Sequence, residues 1–216
     1  MIRVWDLPTR LFHWVLVVLV CFSVISAHIG GNWLDWHMRS GYCILTLLAF
    51  RIMWGFAGSH HARFANFVRP PAAVLAYLRQ MRDGSAPAQA GHNPLGALSV
   101  IAMLLALLLQ ASTGLFSNDS ISSEGPLAKQ VSQATSDRLS AIHEANQYVI
   151  YLLVALHLGA IAYYFFAKRE NLIVPMFTGD KPGGSLVAAT DNGTLRVRAA
   201  ILLAIAAGLA AYVVTR

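Results

Sequence analysis

Five apolar stretches dominate the chain: Leu7–Ile29, Trp36–Phe56, Leu95–Phe116, Ile142–Ala167 and Ala199–Val214. Spanning about 30 Å of hydrocarbon takes about 20 residues of helix, and the first four stretches meet that length. The last has 16 residues and reaches both sides only by drawing in its flanks or snorkelling Arg198 and Arg216. The first stretch is read as an uncleaved helix, with Asp6 as its N-cap and Pro8 in its first turn. With 12% charged residues, 56% hydrophobic residues and a mean hydropathy of +0.55, the chain is no disordered tail, disulfide scaffold or ordinary cytosolic enzyme. It reads as an all-α integral membrane protein.

The net charge of +6 and the isoelectric point of 9.7 would suggest nucleic acid in a soluble protein. In a membrane chain the distribution of the cations explains them, and no nucleic-acid partner is expected. Placing the N-terminus in the cytoplasm puts eleven Lys and Arg in the start, residues 57–94 and residues 168–198. Four lie on or near the other side: Arg39, Lys129, Arg138 and Arg216. The reading is a multi-pass protein of a bacterial inner membrane, in contact with membrane lipid. Residues 72–82 carry Val74, Leu75, Leu78 and Met81 together with Arg79 and Arg82, the pattern of an interfacial helix. The segment 178–195 reads as a linker to the last helix.

Cys21 and Cys43 lie in apolar surroundings, and no Cys-x-x-Cys-His is present, so covalent haem attachment and a zinc framework have no support. The histidines are the informative polar residues, because an ionisable group inside a membrane span is a functional hypothesis by default. His143 and His157 are 14 residues apart. Fourteen steps of about 100° fall about 40° short of four turns, so both face one way, separated by about 21 Å along the axis. His13 lies at about the depth of His157, and His37 at about that of His143. Two His–His pairs stacked across the membrane suit two noncovalent haem b groups held in a helix bundle. Arg51, again 14 residues after His37, is a partner for a haem propionate, and Arg10 is a second. His28 competes with His37 for the place opposite His143. His60, His61 and His92 flank loops and read as structural or solvated.

The run Asp6-Leu-Pro-Thr-Arg-Leu-Phe-His13-Trp14 resembles the opening helix of the prokaryotic cytochrome b561 family, which includes the b-type cytochrome subunit of nickel–iron hydrogenases. His37-Met-Arg-Ser-Gly41 with Arg51-Ile-Met-Trp54-Gly55 is similar to its second helix. Gly91-His-Asn-Pro-Leu-Gly96 and Thr113-Gly114 resemble the ends of its third, and His143, His157 and Lys168-Arg-Glu-Asn171 its fourth. The resemblance implies that His13 and His157 ligate the cytoplasmic-side haem, and His37 and His143 the periplasmic-side one. It implies a four-helix bundle holding two haems over residues 1–180; the linker at 181–198 and the additional C-terminal transmembrane helix at 199–216, read from hydropathy, depart from the family's four-helix core.

The function this suggests is electron transfer between the quinone pool and a periplasmic partner, a cytochrome c or a dehydrogenase or hydrogenase subunit. Candidate quinone contacts are His92 and Asn93 on one side, and His28 or Glu144 on the other. An alternative is a stand-alone quinone-linked oxidoreductase acting on superoxide or an external metal. An alternative of another class is a haem-free anchor or transporter, for which broken helices and mid-membrane carboxylates would be the signs.

Overall fold

Each apolar stretch is a helix in the computed structural model, which describes residues 1–87, 89–119, 123–182 and 187–216. The long helices are α1 (Leu7–Ile29), α2 (Trp33–Ala57), α5 (Pro94–Gly114), α6 (Gln133–Phe166) and α8 (Gly193–Val214). Between them lie α3 (Phe64–Phe67), α4 (Pro71–Arg82) and α7 (Ile173–Thr178). Two short strands, β1 (Ile2–Arg3) and β2 (Asp180–Lys181), pair antiparallel with Ile2 opposite Lys181. The protein is therefore all-α in its membrane part, with five helices long and apolar enough to cross a bilayer.

The starts of α6 and α8 lie before the apolar stretches because polar caps set them. Asn192 accepts the Leu195 amide at 2.9 Å, so α8 starts at Gly193 rather than Ala199 and reaches 22 residues. The shortfall expected of the last span is thus made up by a polar first turn. Ser132 caps α6 through the Thr135 amide, which adds a hydrophilic start to the 34-residue helix. Gly30 and Gly31, both with positive φ, form the short turn from α1 to α2. Asp6 accepts the Thr9 amide at 2.7 Å, the capping expected for α1, and its other oxygen takes the Ser59 hydroxyl.

The chain forms two compact units. The first comprises Met1–Leu11, Ile52–Met103 and Leu153–Ala199. In it the backbone amides of Val4 and Trp5 both bond to the carbonyl of Gly179, a left-handed residue (φ 88°) at the end of α7. A Cβ at that position would stand 2.7 Å from the Trp5 carbonyl oxygen, so glycine is required twice over. Asp191, its side chain nearly fully buried, faces Arg3, Arg10 and Arg196 at 3.7, 3.9 and 3.1 Å. The stretch read as a linker thus contributes a strand and an ion-pair hub. The second unit comprises Phe12–Arg51, Leu104–Leu152 and Ala200–Arg216. Its core holds Ile44, Leu48, Phe50, Ala106, Leu115 and Ile150. Within it, Asn146 of α6 donates to the Ala106 carbonyl at 2.9 Å and to Gln110 Oε1 at 2.8 Å, satisfying a polar group that lipid could not.

Candidate functional site

On α6 the less exposed positions include His143, Asn146, Ile150 and His157, a single stripe at helical spacing. The two histidines do share a face. In the second unit, His143 stands opposite His37 of α2, with ring centres 6.0 Å apart and planes at 88°.

Both rings are oriented by backbone. His37 Nδ1 lies 2.9 Å from the Ser23 carbonyl oxygen and 3.0 Å from the Ser23 hydroxyl. His143 Nδ1 lies 2.9 Å from the Gln110 carbonyl oxygen, with Thr113 Oγ1 at 3.4 Å. A carbonyl only accepts, so each Nδ1 carries the proton and each neutral ring is left with its lone pair on Nε2. Metal-binding imidazoles are characteristically held this way.

The rings border a cavity of about 470 Å³, a size usual for prosthetic-group sites. Leu34, Met38, Ile44, Leu107 and Ile150 make it largely apolar, while Glu144 and Asn118 stand among its polar lining groups. Two glycines shape it. A Cβ on Gly114 would come 2.9 Å from His143 Cε1, so the missing side chain makes room for the ring. Gly41, four residues after His37, lines the cavity, and a Cβ there would meet no protein atom within 4 Å.

A metal bound by one nitrogen of each ring would set the ring centres about 6.2–6.4 Å apart, close to the 6.0 Å observed, so His37 and His143 are the residues that would hold a haem iron. Among the described residues no three His, Cys, Asp or Glu side chains cluster as a metal site. A haem held by His37 and His143 would supply reversible one-electron chemistry at this cavity.

The other candidates lie elsewhere. Arg51 is buried in α2, at 3% exposure. His13 belongs to the second unit, half-buried with its ring edge-on to Trp14 at 4.9 Å, and His157 to the first. Arg10 donates to the Phe177 carbonyl and faces Asp191, so two of its nitrogens are engaged within the first unit. His28 lines the same cavity, and its Nδ1 bonds to the Val24 carbonyl of its own helix at 2.9 Å. His92 lies against the rings of Trp5 and Phe67, at 4.7 and 4.8 Å. Asn93 is spent at both ends: it donates to Tyr164 Oη at 2.7 Å and caps α5 through the Gly96 amide at 2.8 Å. Glu144 is exposed. His61, in the turn His60–Ala62, donates through Nε2 to the Val187 carbonyl at 2.7 Å. Burial holds its pKa below the ordinary histidine value, against the raising effect of that bond.

The carbonyls of Ser23 and Gln110 are the parts that residue types alone do not reveal, because every residue carries one. Thr113 and Gly114 were visible only through the family resemblance.

The sequence model of prokaryotic cytochrome b561 matches residues 4–179. A probable Ni/Fe-hydrogenase B-type cytochrome subunit of Azotobacter chroococcum mcd 1 is 23% identical over 211 residues, covering 82% of this chain and 87% of the relative. A protein of the same description from Azotobacter vinelandii is 27% identical over 125 residues, covering 46% of this chain and 51% of the relative. No solved structure matches the chain. Five membrane-length helices, two facing histidines on an apolar cavity and a family match over most of the length converge: the chain belongs to the prokaryotic cytochrome b561 family, and is a multi-pass membrane b-type cytochrome, an electron-transfer protein with haem b as its cofactor.

Proposed function

We propose that the protein is a dihaem cytochrome of the bacterial inner membrane, with its N-terminus in the cytoplasm, that passes electrons between the quinone pool and a periplasmic redox partner. The observation that carries the reading is the His37–His143 pair, 6.0 Å between ring centres, with both Nδ1 atoms held by carbonyls. Haem, when bound, supplies reversible one-electron chemistry at its iron. The chain's part is to hold the lone pairs of His37 and His143 toward the cavity, and to keep water out with apolar walls. His13 and His157 are the ligands of the second haem on the strength of their depth in the sequence, His157 sharing the inward stripe of α6 with His143.

Arg51, a guanidinium buried in a span, is the propionate partner; Arg10 has a lesser claim to that role because two of its nitrogens are already engaged. Residues 1–180 form the haem-holding part, 181–198 the connection and 199–216 the added span. The named relatives are described as hydrogenase cytochrome subunits, which favours a Ni/Fe hydrogenase as the partner over a cytochrome c. The quinone contact is placed among His28, Glu144, His92 and Asn93.

The test is a reduced-minus-oxidised spectrum with a pyridine haemochrome count on the purified protein, together with His157→Ala. Two noncovalent b haems per chain, falling to one in the variant, are expected. One haem in the unaltered protein, or two in the variant, would overturn the pairing.

A further inference from the structure

We propose that the exposed face of α4 binds the headgroups of anionic phospholipids, giving the cytochrome a preferred lipid at one end of its spans. The helix has two faces with different tasks. Tyr77, 6% exposed, points inward and its hydroxyl meets Tyr164 Oη at 3.2 Å. Tyr164 is in the last turn of α6, and it also accepts from Asn93, the cap of α5. This chain of hydroxyl and amide pins α4 at the level where one span ends and another begins, which is the membrane–water boundary.

The opposite face holds Leu75 and Leu78, 52% and 44% exposed, with Arg79 and Arg82 also exposed. At about 100° per residue all four fall within an arc of about 100°. Two leucines beside two guanidiniums, at that depth, make a surface for lipid: the leucines sit at the acyl boundary and the arginines meet phosphate. The charge is predominantly positive, with Asp83 at the end of α4 as the acidic neighbour. Between Asp35 and Asp83 the sequence contains no acidic residue, while Arg63, Arg69, Arg79 and Arg82 lie exposed in the segment that includes α4. A zwitterionic headgroup would cancel much of this field, and an anionic one complements it. The site is independent of the haem ligands.

The full-length protein is purified from mixed micelles of equal phosphatidylglycerol and phosphatidylcholine, and the retained lipid is counted by class by mass spectrometry. The variant Arg79→Gln/Arg82→Gln is compared with Lys129→Gln/Arg138→Gln, which removes two cations elsewhere. Haem content and helicity report that each variant is folded. Two lost surface arginines should lower the preference for phosphatidylglycerol on the order of tenfold, with the control pair unchanged. A preference for phosphatidylglycerol unchanged from the unaltered protein in the α4 variant would overturn the proposal, and so would an equal fall in both variants, which would mark a general charge effect.

Discussion

Gly114→Ala tests whether the orientation of His143 governs cofactor binding. The added Cβ would lie 2.9 Å from His143 Cε1 and 3.2 Å from Nδ1, where ordinary contact begins at 3.4 Å. The ring must retreat by 3.4 − 2.9 = 0.5 Å. Its Nδ1 is held 2.9 Å from the Gln110 carbonyl, so a movement of that size stretches the bond to the edge of hydrogen bonding, a loss of about 1 kcal/mol. Overpacking adds about 1–3 kcal/mol if the ring stays. Either course moves the ring from the position its carbonyl bond fixes, and disturbing the hydrogen bond that orients a metal-binding imidazole typically weakens metal binding about 10–100-fold. The assay is haem titration of the apoprotein, with the haemochrome count of protein purified at limiting haem. One haem should bind about 10–100-fold more weakly and the other unchanged. Two haems bound at unaltered affinity, in a variant with normal helicity, would refute the reasoning.

Further outcomes follow from the same contacts. His37→Ala should cost one haem while His28→Ala keeps both, read by haemochrome; loss of a haem in the second variant would move the ligand to α1. Asp6→Ala removes the α1 cap and orphans the buried Ser59 hydroxyl. A loss of about 2 kcal/mol is expected, a Tm lower by about 4–8 °C, and a shift under one degree would contradict it. Because His61 has a lowered pKa, its neutral form favours the folded state. Its contribution is full above about pH 6.5 and is lost as pH falls through the folded value. Hydrogen exchange at Ala189, whose amide bonds to the Arg3 carbonyl, should show easier opening at pH 5.5 than at 7.5. That pH effect should vanish in His61→Gln.

Much of the cytochrome is legible in its sequence. Hydropathy and length are local properties, so five spans could be read from composition alone. The 14-residue spacing of His143 and His157 gave a shared face, because the pitch of a helix does not depend on its surroundings. Helix ends were less legible. The polar starts of α6 and α8 depend on Ser132 and Asn192 caps, which only matter once the backbone has turned to meet them. The stretch after Thr178 looked like a linker because its Gly, Pro and Asp residues are turn formers. Its strand pairing and the Asp191 hub come from contacts with the far end of the chain.

What the sequence by itself determined is the class of protein: a membrane bundle rich in intramembrane histidines, since apolar length and ionisable residues in lipid constrain any chain that carries them. What the tertiary structure decided is which ring meets which. His28 and His37 stand at similar depth in the sequence reading, yet it is His37 that faces His143, its Nδ1 taken by the carbonyl of Ser23 on the neighbouring helix. Helical pitch sets a face and a depth, but the rotation of one helix against another is set by packing, and backbone carbonyls that orient a ring carry no mark in the residue types.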